Sequence, residues 1–251
     1  MVSIKVRDLI FEDIDAIIFD KDGTLEDSEK NLRLLATKLS RLIDSQIPGI
    51  GEPLLMAYGV NDDQLDPAGL MAVGSRRENE IASAAYIAET GRGWLESMEI
   101  AAQAFEEADQ YMEDADPSPL FAGSSQKLKC LAEVGLKLAI LSAAPLQEVE
   151  AFVERYQLAD YIQVQMGVDQ GLSKPDPVLY LQACQNLGVI AAKTLMIGDA
   201  AVDMEMAKQA GAAGCIGINW KPQKTINLYQ ADVMITQIDE IQVLQTTDSS
   251  E

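Results

Sequence analysis

Short, nearly continuous apolar runs recur along the chain, separated by stretches with apolar residues at three- and four-residue spacing. Runs of this length are typical of parallel strands buried on both faces of a sheet, and the wider spacing predicts amphipathic helices. Their alternation predicts an open α/β sheet with right-handed crossovers. The predicted strands are 14–19, 136–142, 162–166, 193–197, 214–218 and 231–235, with an edge strand at 2–10 before the first of them. The predicted helices between the strands are 124–134, 146–156, 177–187 and 202–210.

The interval from 26 to 115 interrupts this alternation. It holds amphipathic helical stretches but no run of predicted strands, and its first helix carries an apolar stripe that predicts a bundle with its own core. The proline-rich segment 114–120 predicts a linker. We therefore predict an α/β core formed by 1–25 and 116–251, with a helical domain, 26–115, inserted after the first core strand. The predicted helices of the insertion are 28–45, 78–90 and 93–113, and the stripe consists of Leu32, Leu35, Leu39 and Leu42.

The charge balance changes which partners are expected. The 251 residues include 40 Asp plus Glu and 19 Lys plus Arg, a formal net charge of −21. Nucleic acid and anionic membranes repel such a chain, and no basic run of five residues offsets the repulsion. The start MVSIKVRDLIFEDID carries acids where a signal peptide needs an apolar stretch. We expect a cytoplasmic protein with no nucleic-acid or membrane partner.

Residue types that are missing narrow the chemistry further. The chain has no histidine, which excludes His-ligated zinc and a Ser-His or Cys-His nucleophile pair. Its three cysteines are widely spaced and form no C-x-x-C pair, as expected in a reducing compartment. Any catalysis must therefore use carboxylates, lysine, serine or threonine.

Two carboxylates follow directly after the first core strand. Asp20 and Asp22 lie at i and i+2, a spacing at which both side chains can point into one crevice. Ligand crevices of open α/β sheets lie at the carboxyl ends of strands. Gly23 allows a sharp turn and close approach of a ligand to the backbone. An acidic β-turn is the alternative interpretation of this segment.

Three further strand ends or following loops carry polar side chains. Ser142 ends one predicted strand, and Lys174 precedes a predicted helix start. Asp199 ends another strand, with Asp203 four residues later, so that both carboxylates can face the same site. Taken alone, each residue is also explained as a helix cap or a solvated charge, and for an Asp at a helix start the cap is the ordinary case. Together they place one polar set at the carboxyl edge of the predicted sheet.

This ordered set resembles the haloacid dehalogenase superfamily of aspartate-nucleophile phosphohydrolases. DKDGTL is similar to its first motif, D-x-D-G-T, Ser142 to the second, Lys174 in SKPDP to the third and GDAAVD to the fourth. The helical interval resembles the C1-type cap of the phosphoglycolate phosphatase-like branch. The resemblance covers 1–25 and 116–251. It implies an α/β, Rossmann-like open parallel sheet core with an inserted all-helical cap domain.

The resemblance implies a magnesium-dependent phosphatase that hydrolyses a small, phosphoglycolate-like phosphomonoester through an aspartyl-phosphate. Asp20 would be the nucleophile and Asp22 the general acid and base. Mg²⁺ would be held by Asp20, Asp199 and the backbone carbonyl of Asp22, with Asp203 in the next layer, orienting Lys174 or a metal-bound water. The expected partner is a small phosphorylated metabolite, and no required protein partner is evident. The expected phosphate-binding residues are Gly23, Thr24, Ser142, Ala143 and Lys174.

Charge counting supports the metal. Four aspartates and one lysine at the site would repel a phosphate dianion unless a cation joined them. One departure from the family pattern is Lys21, where many relatives carry an apolar residue. We expect Lys21 to face away from the site.

Three other functions stay open. A dehalogenase would need neither Asp22 nor magnesium, because halide leaves without a proton. A sugar phosphomutase would have the same core residues and differ only in the cap. A non-catalytic, receiver-like phosphate-binding module is the alternative from another class. Magnesium-dependent release of phosphate distinguishes the phosphatase from the last of these.

The cap offers one candidate substrate contact. Ser75 and Arg76 follow a glycine in a loop that leads into a helix, and Arg76 and Arg77 form the only adjacent basic pair. An arginine fork suits a carboxylate at the non-reacting end of the substrate. The alternative is surface charge or an ion pair with Glu78 or Glu80.

Overall fold

The computed structural model describes residues 2–169, 171–221 and 228–244. The chain divides into two compact units, Met1–Glu26 with Leu120–Glu251 and the inserted Asp27–Pro119. The chain leaves and re-enters the first unit as a pair of adjacent segments, in which the Phe121 N–H donates to the Leu25 carbonyl at 2.9 Å. The proline-rich segment belongs mostly to the inserted unit.

The described residues form eleven strands and nine α-helices. The strands are β1 (Val2–Val6), β2 (Leu9–Ile14), β3 (Ala16–Phe19), β4 (Val60–Asn61), β5 (Gln64–Leu65), β6 (Lys137–Leu141), β7 (Ile162–Met166), β8 (Thr194–Gly198), β9 (Gly214–Ile218), β10 (Val233–Ile235) and β11 (Ile241–Leu244). The helices are α1 (Glu29–Gln46), α2 (Gly51–Ala57), α3 (Leu70–Val73), α4 (Arg76–Glu89), α5 (Trp94–Glu113), α6 (Ser124–Glu133), α7 (Leu146–Arg155), α8 (Pro177–Leu187) and α9 (Ala201–Gln209).

A six-stranded parallel sheet forms the centre of the first unit, in the order β10-β9-β8-β3-β6-β7. All four residues of β3 are buried. Ile17 and Phe19 join one apolar cluster, while Ala16 and Ile18 join another, because successive side chains point to opposite faces. Both faces of this strand are therefore covered, which confirms the predicted α/β core. From β3 the chain continues to β6 on one side of the sheet and later to β8 on the other side. The strand order therefore reverses at β3.

The predicted edge strand at 2–10 is wrong. β1 and β2 instead form an antiparallel hairpin, and β11 completes a separate three-stranded sheet in the order β11-β1-β2. The chain reverses after Val6 with Arg7 at a φ of 54°, and Val6 pairs with both Leu9 and Ile241. Ile4 and Val6 are fully buried and join the same cluster as Ile17. The alternating pattern of this segment reflects a sheet with one buried face.

The inserted unit is mainly helical, with a core that includes Leu39, Tyr58 and Phe105. Of the predicted stripe, Leu39 is fully buried, whereas the other three leucines pack at the margin of this core. The unit is not entirely helical, because β4 and β5 pair across a tight turn in which Asp62 has a φ of 51°. In the part of the chain that the structure describes, no helix combines the length and apolar character needed to cross a membrane.

Candidate active site

The carboxyl ends of β3 and β8 bring two acidic side chains together. Asp20 follows β3 directly, and its N–H donates to the carbonyl of Ile197 in β8 at 2.9 Å. Asp199 follows β8 after Gly198. Asp20 is buried, whereas Asp199 is partly exposed. This is the point at which the strand order reverses, where open α/β sheets form their ligand crevices.

The Lys174 ammonium provides positive charge between two carboxylates of this site. Its Nζ lies 2.7 Å from Asp20 Oδ1 and 2.7 Å from Asp203 Oδ1, and the side chain is buried. Helix α8 begins three residues later, with the Asp176 side chain accepting the Val178 N–H at 2.9 Å and Pro177 at the first helical position. This N-terminal cap fixes the loop that carries Lys174.

Asp203 lies in the first turn of α9, where a carboxylate is favoured by the helix dipole. It is fully buried. Its Oδ2 accepts the Ala200 N–H at 3.2 Å, and its Oδ1 contacts Lys174. Both carboxylate oxygens are therefore engaged by the protein.

The turn after β3 lies against Asp199. The Thr24 hydroxyl is 3.4 Å from Asp199 Oδ1. Gly23 has a φ of 74°, and a Cβ at this position would lie 2.0 Å from Asp199 Oδ2. No other residue type fits here without displacing the Asp199 carboxylate. The positive φ agrees with the expected sharp turn at Gly23, whereas close approach of a ligand to its backbone stays a prediction.

Three carboxylates form a candidate cation site. Asp20, Asp199 and Asp203 each offer an oxygen, and these atoms lie within 4.8 Å of one another. With Lys174 as the only cation in contact with them among the described residues, the group carries an excess of two negative charges. Burial raises the pKa of Asp20 against the opposing effect of Lys174. Burial and the neighbouring Asp20 and Asp203 raise the pKa of Asp199 well above its usual value.

Carboxylate oxygens crowded in this way suit a hard divalent cation such as Mg²⁺, which would remove the excess charge. The Asp22 side chain does not belong to the three-carboxylate group. Its expected contribution is a backbone carbonyl, and that contribution stays a prediction.

Ser142 follows β6, the other neighbour of β3. Its N–H donates to the Met166 carbonyl at 3.0 Å, and its Oγ accepts the Ala144 N–H at 3.1 Å. The Ala144 N–H uses one lone pair of Ser142 Oγ and leaves the hydroxyl proton free to be donated. The Ser142 hydroxyl can therefore donate a hydrogen bond to an oxygen of a ligand. Ala143, the other expected phosphate-binding residue here, lies between these two and is half-buried.

Lys21, which we expected to face away from the site, contacts Asp22, one of the expected site residues. Its buried Nζ lies 2.7 Å from Asp22 Oδ1 and 2.9 Å from Glu26 Oε2. Burial alone would lower the pKa of Lys21, but the two carboxylates outweigh it and hold that pKa above its usual value. Asp22 therefore has its own cation, separate from Lys174.

Trp220 is a second contact that sequence reasoning missed. Its Nε1 donates to the Thr24 carbonyl at 3.0 Å, and its ring stacks on Phe121 at a centroid distance of 4.4 Å. Trp220 thus holds the turn that carries Gly23. No sequence signal links residues so far apart along the chain.

Ser75 and Arg76 belong to the inserted unit, where both have partners. Ser75 caps α4, exchanging backbone and side-chain hydrogen bonds with Glu78. Arg76 binds Glu80 at 2.9 Å and Asp109 at 2.8 Å, and its guanidinium lies 4.5 Å from the centre of the Phe105 ring. The ion pair with Glu80 is thus present. A substrate contact by Ser75 or Arg76 stays a prediction.

The sequence model of the haloacid dehalogenase-like hydrolases matches residues 14–211, and the chain belongs to this family. It is therefore an enzyme of the hydrolase class.

Individual relatives extend over nearly the same length. The chain is 28% identical over 235 residues to a protein named probable phosphatase IndB from Dickeya dadantii (strain 3937), covering 87% of each. It is 27% identical over 239 residues to phosphoglycolate phosphatase from Escherichia coli (strain K12), covering 92% of each. A crystal structure of a predicted phosphoglycolate phosphatase from Haemophilus somnus 129PT matches with a TM-score of 0.69 and 18% identity, over 90% of this chain and 95% of that one.

Proposed function

We propose that this protein is a magnesium-dependent phosphatase that hydrolyses a small phosphomonoester through an aspartyl-phosphate on Asp20. The observation that carries the proposal is the buried Asp20–Lys174–Asp203 arrangement beside Asp199 at the reversal of the strand order. The names of the relatives support phosphate ester hydrolysis and favour a substrate similar to phosphoglycolate.

Asp20 would begin the reaction. One of its carboxylate oxygens attacks phosphorus, and the bond from phosphorus to the ester oxygen breaks. Lys174 holds the other oxygen of Asp20, since the 2.7 Å contact is to Oδ1. The lysine thereby orients the nucleophile and provides positive charge beside the transferring group.

Asp22 would move the protons. It donates a proton to the departing alkoxide in the first step. In the second step it takes a proton from the water that attacks the aspartyl-phosphate, which releases inorganic phosphate and restores Asp20. Ser142 would donate its hydroxyl proton to a phosphoryl oxygen, as its hydrogen bond from Ala144 allows.

Asp20, Asp199 and the Asp22 carbonyl would hold Mg²⁺. When bound, the ion would supply charge that balances the carboxylates and polarises the phosphoryl group. Asp203 is assigned an orienting role, because both of its oxygens already have protein partners.

The test is phosphate release from a panel of small phosphomonoesters, including phosphoglycolate and p-nitrophenyl phosphate, with Mg²⁺ or with excess chelator. We expect activity only with the metal. Asp20→Asn should abolish turnover while the protein keeps its thermal unfolding profile, because an amide cannot act as the nucleophile.

Normal turnover by Asp20→Asn, with deamidation excluded by mass spectrometry, would refute the assignment of the nucleophile. Full activity after chelation would favour a metal-free mechanism. Transfer of the phosphoryl group within a sugar phosphate, without release of inorganic phosphate, would favour a phosphomutase.

A further inference from the structure

A second buried lysine, Lys21, pairs with carboxylates other than those that contact Lys174. The Lys21 side chain is 6% exposed, and its Nζ lies between Asp22 Oδ1 at 2.7 Å and Glu26 Oε2 at 2.9 Å. The same ammonium lies 5.8 Å from the centre of the Phe152 ring, which belongs to the apolar cluster under the sheet. Burying an ammonium is costly, and the fold would avoid that cost if Lys21 and its buried partner Glu26 were both replaced by apolar side chains of similar size. The buried ammonium and its contact with Asp22 therefore suggest a role other than stability.

The backbone around Lys21 is equally constrained. Its carbonyl oxygen accepts the N–H groups of Thr24, Leu25 and Glu26 at 3.3, 2.9 and 3.0 Å. The Gly23 N–H donates to the Glu26 carbonyl at 2.9 Å. The turn from Lys21 to Glu26 is thus closed on itself, and Asp22 projects from a rigid base.

A rigid base does not by itself fix the Asp22 carboxylate. An unrestrained aspartate samples three χ1 wells, and only one of them places an oxygen for a given proton transfer. The bond from Lys21 to Oδ1 selects one rotamer and leaves Oδ2 as the oxygen that exchanges the proton.

We propose that Lys21 is a positioning residue, whose buried ammonium holds the Asp22 carboxylate in the orientation that serves acid and base catalysis. This inference rests on the proposed function, because it assigns Lys21 a task only if Asp22 transfers protons. The competing role is purely structural, with Lys21 acting only as the counter-ion of Glu26.

Pre-steady-state hydrolysis of p-nitrophenyl phosphate separates the two roles. Nitrophenolate leaves without a proton donor, so formation of the aspartyl-phosphate needs no help from Asp22, whereas its hydrolysis does. We expect Lys21→Met to give a stoichiometric burst of nitrophenolate and then a kcat lower by about 10- to 100-fold, with no rise in KM. For an alkyl phosphomonoester both steps need Asp22, and no burst is expected.

A matched control is Glu26→Gln, which removes the other carboxylate charge but keeps an acceptor oxygen for Lys21. Its kcat should equal that of the wild type. If Lys21→Met folds poorly, the double variant Lys21→Met with Glu26→Gln removes the unpaired buried anion and carries the same expectation. In an Asp22→Asn background, Lys21→Met should cause no further loss, because the group it positions is gone.

A structural role predicts a different result. Lys21→Met would then keep the time course of the wild type, with every rate lowered in proportion to the folded fraction, and would lower the rate again in the Asp22→Asn background. A proportional loss of all rates, a further loss in the Asp22→Asn background, or wild-type kinetics for Lys21→Met would each overturn the positioning role and leave the proposed function intact. A wild-type protein that forms no phosphoenzyme and releases no phosphate would overturn the proposed function and this inference with it.

Discussion

The pKa values of acidic side chains shift in opposite directions at the carboxyl edge of the six-stranded sheet and beside the three-stranded sheet β11-β1-β2. At the first, burial and neighbouring carboxylates raise the pKa of Asp199 well above its usual value. At the second, the Glu240 side chain is 26% exposed, and its hydrogen-bond partners outweigh the effect of its burial and lower its pKa to about 2. Those partners are the Arg7 guanidinium at 2.6 Å and the N–H groups of Thr236 and Gln237 at 2.7 and 3.2 Å.

The opposite pKa shifts distinguish a carboxylate that stabilises the fold from carboxylates that await a ligand. Glu240 has enough donors within the chain, so its charge stabilises the fold. Lys174 pairs with Asp20 and Asp203, and these two carboxylates together with Asp199 exceed its charge. Carboxylates in such excess destabilise the protein unless a ligand completes the group. Substitutions at the two places should therefore have opposite effects.

The largest effect should come from Asp199→Ala. Loss of a ligand oxygen should lower kcat by about 100-fold or more and shift magnesium activation to much higher concentration. Without metal the unfolding temperature should not fall, because one crowded carboxylate is removed. Titration calorimetry with Mg²⁺, thermal melts and initial rates measure these three quantities.

The exposed Asp160→Ala provides the control for this comparison, since it removes the same charge away from the site. Unchanged magnesium affinity in Asp199→Ala would contradict the assignment of the three carboxylates as the cation site.

Arg76→Ala tests whether a charged group of the inserted unit serves stability or contacts the substrate. Arg76 joins α4 to α5 through Asp109 and Phe105, so we expect a loss of about 1–2 kcal/mol in the free energy of unfolding. If these contacts within the inserted unit are the only role of Arg76, the ratio of kcat/KM between phosphoglycolate and p-nitrophenyl phosphate stays constant. Chemical denaturation and kinetics on the two substrates check this.

Arg77→Ala is the matched control. Its side chain is 53% exposed and has one contact to Glu80 at 3.5 Å, so it should change stability by less than about 0.5 kcal/mol. A selective loss of about tenfold on phosphoglycolate in Arg76→Ala, worth roughly 1.4 kcal/mol, would instead support the substrate contact.

The smallest effect should come from Glu240→Gln. The amide keeps acceptor contacts with the backbone but loses the charge that pairs with Arg7, at a cost of about 1 kcal/mol at neutral pH. Because the folded pKa of Glu240 is depressed, its contribution is fully present above the ordinary value of 4.5 and is lost as pH falls through about 2. Urea unfolding of both proteins between neutral pH and pH 3 should show the difference shrinking, with no change in kcat. A difference that grows on acidification would contradict this assignment.

Sequence pattern predicted the parallel sheet well because its strands are apolar on both faces. The predicted run 214–218 coincides with β9. The small antiparallel sheet was missed because only one face of its strands is buried. The partner strand β11 lies near the other end of the described chain, and no local pattern reveals a pairing over that distance.

The carboxylates and Lys174 were predictable as a group because parallel strand ends meet at one edge of the sheet. The position of the Lys21 side chain was not predictable from the sequence. Strict alternation after β3 would send Asp20 and Lys21 to opposite faces. The Lys21 carbonyl instead accepts three N–H groups and ends the strand geometry, which returns the Lys21 ammonium to Asp22. Such a return depends on tertiary packing around the turn.

The central place of β3 also has a consequence for the order in which the protein forms during synthesis. Ala16 pairs with Lys137 on one side and with Thr194 on the other, and both partners are translated after the entire inserted unit. The contacts of that unit lie within one continuous stretch of chain, so it can fold while β3 still lacks its neighbours. Asp20 therefore leaves the ribosome long before the strand that carries Asp199. The candidate active site is therefore expected to be among the last parts of the molecule to assemble.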